Sequence, residues 1–300
     1  MAASSCFRGI KDGIVTRFAP SPTGYLHLGH AASALAGWRL ARESGGRFLL
    51  RIEDIDPVRC RPDYVEAIVE DLAWIGITPD GPVRRQSAHL PDYRRVLDAL
   101  SARGLLYPCF CTRADIAREA QEAAHAPHRA PDGTLAYGGT CRALSPRQRA
   151  DGMRDGRPYV LRLDMARALH VAGGECVTWR ERGQGVRTGR PGLFGDVVLA
   201  RKDIPASYHL CVTHDDAAQG VTLVSRGEDL RPATAIHRLL QILMGWPEPE
   251  YAHHALLLDG EGRRLAKRDR ALTLRAMRAA GMTPDAVRRA ALGEYALHSS

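Results

Sequence analysis

The stretch Arg17-Phe18-Ala19-Pro20-Ser21-Pro22-Thr23-Gly24-Tyr25-Leu26-His27-Leu28-Gly29-His30 decides the fold, because it closes a strand and opens a helix within one short segment. Ile14, Val15, Arg17 and Phe18 form a β-prone run, and Pro20 and Pro22 stop it by removing backbone donors. Gly24 gives a tight bend. From Leu28 to Ala41 the pattern is helical, with Leu35, Trp38 and Leu40 apolar, until Gly45-Gly46 ends it. Phe48 to Ile52 reads as the next strand, followed by the acidic loop Glu53-Asp54-Ile55-Asp56-Pro57. A helix from Pro62 to Ile75 follows, with Val65, Ile68, Val69 and Leu72 on one face, and Pro91 to Arg103 reads as a third. Such alternation predicts a parallel sheet covered on both faces, with ligands bound beyond the carboxyl ends of its strands. The loops after Phe18 and Ile52 are therefore the places for chemistry.

Further along, the rhythm breaks. From Pro108 to about Arg190 only Tyr159 to Leu163 reads clearly as a strand, while His125 to Asp132 and Gly183 to Gly192 read as loops. Strands are expected again at Val197–Ala200, Tyr208–Val212 and Val221–Ser225, then an amphipathic helix at Pro232–Met244, a basic loop from Asp259 to Arg270, and two final helices. The expected division is a nucleotide-binding core over 12–107 and 193–250, an inserted subdomain over 108–192, and a loop with a short helical end over 251–300.

Composition narrows the class. With 45% hydrophobic and 25% charged residues the chain has enough apolar material for a core, which excludes global disorder. It has no apolar run of the eighteen or so residues that a spanning helix needs, and no long apolar stretch at the start, so a cytoplasmic, membrane-free protein is expected. The net charge of +8 suits a polyanion such as RNA. Arginine supplies almost all of it, however: the lysines are Lys11, Lys202 and Lys267, so charge alone does not decide.

Chemistry concentrates in three places. His27 and His30 flank Gly29 where a helix begins, an end whose exposed N–H groups and partial positive charge suit phosphate. Gly29 also removes a side chain that would block a purine ring. In Arg263-Arg264-Leu265-Ala266-Lys267-Arg268-Asp269 the scarce Lys267 is placed to neutralise a leaving pyrophosphate. Of seven cysteines, Cys109, Cys111 and Cys141 fall in the stretch where composition changes, and three thiolates so spaced can give part of a tetrahedral Zn2+ site. Spacing leaves the fourth ligand open, with His125 and His128 among the candidates. Cys6, Cys60, Cys176 and Cys211 read as ordinary small apolar residues. His214-Asp215-Asp216 and His253-His254 read as caps or polar loops without a ligand role, and Asp54 and Asp56 as stabilisers of their own loop.

Taken together these residues resemble the class I glutamyl-tRNA synthetases: the quoted stretch resembles their HIGH-containing opening motif, Arg51-Ile52-Glu53-Asp54-Ile55-Asp56 at the end of the second strand also matches, and Leu265-Ala266-Lys267-Arg268 resembles the KMSKS loop. The resemblance runs from residue 14 to about 270. It implies an α/β, Rossmann-type class I aminoacyl-tRNA synthetase core with a zinc-bearing insertion and a short C-terminal helical segment. Two departures stand in the KMSKS-like loop, Arg264 for the first lysine and Ala266 for serine, while Lys267 is kept. Only about thirty residues follow that loop, which resembles the family's short paralogues rather than the members with an anticodon-binding region. Those paralogues attach glutamate to the queuosine base of tRNA(Asp); charging the 3′ end of tRNA(Glu), or RNA binding without catalysis, are the alternatives.

The resemblance implies L-glutamate and ATP with Mg2+ as substrates, tRNA(Asp) carrying queuosine as acceptor, one structural Zn2+, and a monomer. It implies His27, His30 and Lys267 as catalytic residues, with Gly29 beside them at the ATP. For a substrate with two carboxylates and one ammonium, Arg17 and Arg226 are the expected cations and Glu53 the expected acid. The resemblance further implies that Ser21 and Tyr208 line the pocket and that Tyr137 is the fourth zinc ligand after Cys109, Cys111 and Cys141, although 25 residues separate Cys111 from Tyr137.

Overall fold

The computed structural model describes residues 13–122, 129–201, 205–257 and 273–293. Lys267 with its basic loop, and His125 and His128, lie outside the described residues. In chain order the elements are β1 Val15–Phe18, α1 Leu28–Glu43, β2 Arg47–Ile52, α2 Pro62–Trp74, β3 Arg84–Arg85, α3 Leu90–Ala102, β4 Leu106–Cys109 and α4 Arg113–Glu122. After these come α5 Pro146–Arg154, β5 Val160–Leu163, α6 Met165–Ala172, β6 Val177–Glu181, β7 Gly185–Gly189 and β8 Val198–Arg201. The remainder is α7 Tyr208–Ala218, β9 Leu223–Gly227, α8 Thr234–Met244, β10 Glu250–His254, α9 Leu274–Ala279 and α10 Pro284–Ala291.

The parallel sheet expected from the opening stretch is present. Strands β1, β2 and β3 pair in parallel, as do β9 and β10, and β10 also pairs in parallel with β6. The two groups meet at β1 and β9, where Thr222 N–H donates to Val15 O (3.0 Å) and the Thr222 hydroxyl accepts from Val15 N–H (2.9 Å). Strand β1 is buried along its whole length, as a central parallel strand must be. The turn into β2 depends on glycine twice: Gly45 sits at φ +65°, and a Cβ on Gly46 would lie 2.0 Å from Ile14 O. One face is closed by α1, α2, α9 and α10 around Leu35, Phe48, Ile68 and Val287, and a second core gathers Leu97, Leu163, Leu210, Ile236 and Leu239.

Three expectations are corrected. Residues 208–212 begin a helix, not a strand, because Ser207 caps it, accepting from Leu210 N–H, and the short apolar run fits either period. Residues 177–181 and 185–189 form an antiparallel hairpin, with Gly183 and Gly185 at positive φ, although 183–192 read as loop. That hairpin continues the core sheet through β10, while β8, beyond residue 192, pairs antiparallel with β5 and completes the separate sheet β4-β5-β8. The small sheet therefore draws on both sides of the expected 108–192 boundary. Among the described residues no helix is long and apolar enough to cross a membrane. Of the scattered cysteines only Cys211 is buried; Cys60 is half-buried and Cys176 exposed, and Cys6 lies outside the described residues.

Candidate active site

The ends of β1, β2 and β9 and the first turn of α1 enclose a cavity of about 420 Å3 that Arg17, Ser21, His27, Gly29, His30, Glu53, Tyr208 and Arg226 all line. Every described residue expected to act on glutamate or ATP is thus in one place. Lys267 is not described, but both anchors of its loop are at this cavity: Ala255, Leu256 and Leu257 line it, and Thr273 bridges to His27, with Leu274 N–H donating to Leu26 O (2.8 Å).

His27 is the N-cap of α1. Its Nδ1 accepts from Gly29 N–H (3.1 Å), and His30 Nδ1 accepts from His27 N–H (3.2 Å), so two imidazoles form a capping box. The rings lie 3.8 Å apart. With both Nδ1 atoms accepting, each neutral ring carries its proton on Nε2, as a donor beside the positive end of the helix dipole. Gly29 has a second reason to be glycine: a Cβ there would lie 3.0 Å from the folded-back His27 ring.

Arg17 is buried and grips Asp216 with two bonds, Nε–H to Oδ1 (2.9 Å) and Nη2–H to Oδ2 (3.2 Å), while Nη1–H donates to Ser225 O (3.1 Å). Burial disfavours its charge, but Asp216 more than offsets this and raises its pKa. Asp216 also accepts from Arg51 Nη2–H (2.6 Å), and Arg51 is wholly buried. Its neighbour Asp215 accepts from Gln86 (3.0 Å), the Tyr93 hydroxyl (2.8 Å) and Arg84 (3.0 Å). Burial alone would raise the Asp215 pKa, yet the bond to His214 and the charges of Arg51 and Arg84 hold it down at about 2. Next to this network the Glu53 carboxyl is pushed up to about 7, by burial first, with Arg51 and Arg17 acting against it. Asp54 and Asp56 do hold their loop: Asp54 accepts from Ser87 N–H (2.8 Å) and Arg85 (3.0 Å), and Asp56 from Val58 N–H (3.1 Å).

Arg226 is buried as well. It donates to His253 Nε2 (3.1 Å), His237 Nδ1 (3.0 Å) and Thr234 Oγ1 (2.6 Å). The expectation that His214-Asp215-Asp216 and His253-His254 are caps or polar loops is therefore corrected. Asp215 and Asp216 lie inside α7 and anchor three arginines, and His253 lies on β10 between Arg226 and Glu181. Arg51, Glu181, Thr234 and His237 went unread for the same reason, since nothing local distinguishes a polar residue on a buried face. The one available signal was the Asp215-Asp216 pair in an otherwise apolar run.

A second cavity of about 790 Å3 shares Ser21, Glu53 and Tyr208 with the first and reaches Tyr137 and Arg162. Behind Tyr137 stands the cysteine knuckle. The sulfurs of Cys109, Cys111 and Cys141 all lie within 4.8 Å of one another, and the Tyr137 hydroxyl is 3.5 Å from Cys111 Sγ. Four ligands about 2.3 Å from one zinc stand about 3.8 Å apart, so this donor set fits a tetrahedral metal. The Tyr137 oxygen accepts from Cys141 N–H (2.7 Å), which favours the phenolate, but burial first and the bonds with the thiols raise the phenol pKa, so its anion would need the charge of a bound metal. All four residues are buried or half-buried, as a closed structural site requires.

Residues 13–292 match the family of class I tRNA synthetases (E and Q), catalytic domain, and the chain belongs to that family. Within it the chain falls among the glutamyl-Q tRNA(Asp) synthetases. It is 48% identical over 280 residues to the one from Rhodobacter capsulatus, covering 92% of this chain and 99% of that protein. To the one from Nocardia farcinica it is 46% identical over 272 residues, covering 90% and 81%. A solved glutamate tRNA ligase from Elizabethkingia meningosepticum superposes with a TM-score of 0.71 at 32% identity, over 86% of this chain and 52% of that one.

Proposed function

We propose that the protein activates L-glutamate with ATP and transfers it to the queuosine base of tRNA(Asp). The observation that carries this reading is the single cavity in which Arg17, Ser21, Glu53, Tyr208 and Arg226 face His27, Gly29 and His30. Arginines suit the carboxylates of glutamate, and Glu53, when ionised, its ammonium. One α-carboxylate oxygen attacks the α-phosphorus of ATP, the bond to pyrophosphate breaks, and glutamyl-AMP forms. The Nε2–H groups of His27 and His30, the N-terminus of α1 and the ammonium of Lys267 stabilise the phosphoryl charge, and Mg2+ enters with ATP as substrate. No protein nucleophile takes part; positioning and electrostatics supply the rate. A queuosine hydroxyl entering through the adjoining cavity then attacks the glutamyl carbonyl carbon and AMP leaves.

Cys109, Cys111, Tyr137 and Cys141 would hold Zn2+, which when bound pins the small β4-β5-β8 sheet to the wall of the second cavity. The chain acts as a monomer in the cytoplasm on this reading. The test is glutamate-dependent exchange of pyrophosphate into ATP without RNA, then transfer of labelled glutamate to tRNA(Asp) with and without queuosine. Exchange with queuosine-dependent labelling supports the proposal. Labelling of tRNA(Glu) instead refutes the acceptor, and absence of exchange refutes the activity.

A further inference from the structure

Arg17 and Arg226 reach the amino-acid cavity with the same hydrogen-bond economy: each commits three N–H groups to the protein, of the five a guanidinium carries. Their partners differ in charge. Arg17 is clamped by a carboxylate, Asp216, whereas among the described residues no ion pair joins Arg226 to any acid. A guanidinium only donates, so His253 Nε2 and His237 Nδ1 must both present lone pairs. Each proton then sits on the far side of its ring. His253 Nδ1–H points to the Glu181 carboxylate (3.0 Å), and His237 Nε2–H to His209 Nδ1 (3.2 Å). Glu181 is held in turn by Trp179 Nε1–H (3.1 Å) and His253 N–H (3.0 Å), so the acid balancing Arg226 is kept one imidazole away. Burial and the nearby Arg226 charge pull all three histidines down, His209 and His253 to about 4, which keeps them neutral at physiological pH.

We propose that His237 and His253 are positioning residues which, as uncharged acceptors of fixed tautomer, hold Arg226 without neutralising it, so that Arg226 selects an anionic side-chain carboxylate over its isosteric amide. This rests on the reading of the cavity as a glutamate site. Among the described residues Arg226 is held by neutral groups alone; a buried cation so held keeps its demand for a counter-ion, and an amide of the same shape leaves that demand unmet. The Arg17–Asp216 pair has no such demand.

The decisive variants differ in charge at one shape. His237→Ala removes the acceptor and is expected to raise KM for glutamate about tenfold or more, the scale of one hydrogen bond to a charged group, with KM for ATP unmoved. His237→Asn restores a neutral acceptor and is expected to recover most of that loss. His237→Asp supplies the same shape with a carboxylate; it is expected to leave KM for glutamate high and to cut the preference for glutamate over glutamine about tenfold or more. Equal behaviour of the Asn and Asp variants would reduce His237 to packing and overturn the proposal. Should the variants fold poorly, long-range 1H–15N spectra of the wild-type histidine rings decide independently: His253 protonated on Nδ1 and His237 on Nε2 near neutral pH is the expected result, and the opposite tautomers or imidazolium forms overturn it. Absence of wild-type exchange would sink the glutamate site and the selectivity claim together, while the spectra, which need no substrate, still report on the cage.

Discussion

Replacing Asp216 by asparagine changes one atom at the centre of the buried network behind the site. Its carboxylate accepts three N–H bonds, two from Arg17 and one from Arg51, and the side-chain exposures of the three are 7%, 5% and 0%. Asparagine keeps the volume but turns one acceptor into an amide donor facing arginine N–H groups; it leaves buried Arg17 without its counter-ion and Arg51 with only Asp215, 3.9 Å away. Removing one partner from a buried pair costs about 3–5 kcal/mol. At about 2.1 cal/mol/K per residue over a chain of this length, that corresponds to a melting point roughly 5–8 °C lower. Burial acts to raise the Asp216 pKa, but Arg17 and Arg51 prevail and lower it, so the stabilisation is present above the ordinary carboxylate range and is lost as pH falls through the depressed folded-state value. The gap between wild type and variant is therefore expected to be full at pH 7 and to narrow towards pH 3. Differential scanning fluorimetry across that range reads both quantities, and pyrophosphate exchange reads the third, a raised KM for glutamate from a displaced Arg17. A variant melting within a degree of wild type at pH 7 would refute the account of Asp216 as anchor of Arg17 and Arg51.

Three further outcomes are expected. Glu53 has a folded-state pKa of about 7, above that of an ordinary glutamate, so its contribution to stability is fullest at low pH and is lost as pH rises through 7, while the anion needed for an ammonium appears over the same interval; kcat/KM for glutamate should climb through that pH in the wild type, and Glu53→Gln should be slow and lack the limb. Lys267→Ala should lower exchange at least ~100-fold, the scale of one lost transition-state charge donor, and near-normal rates would remove its assigned role. Cys109→Ser should lose most of its zinc by elemental analysis and melt earlier, and full retention of metal would rule out the knuckle as the zinc site.

How much of this was legible in the sequence depends on where each residue's partners lie. The strand–turn–helix around Pro20, Gly24 and His27 could be read because its causes are local: proline removes donors, glycine bends the chain, and apolar spacing sets the period. Resemblance in the opening motif and in the Arg51-to-Asp56 segment, the two carboxylates of the expected substrate, and spacing around the cysteines put Arg17, Glu53, Arg226 and the knuckle on the page before any coordinates. What sequence could not decide is which charges meet. Asp216 stands 199 positions from Arg17, and Glu181 reaches Arg226 only through His253 on another strand. Residues 208–212 read as strand because five apolar-leaning residues fit both periods; the Ser207 cap and packing of α7 against α8 and α3 chose helix. Sequence by itself therefore determined the kinds of chemical group available and the order in which strands and helices deliver them. Tertiary structure alone decided that, among the described residues, Arg17 meets a carboxylate and Arg226 meets only neutral partners, because the charge a ligand meets depends on what burial brings within about 4 Å, and long-range folding sets that distance.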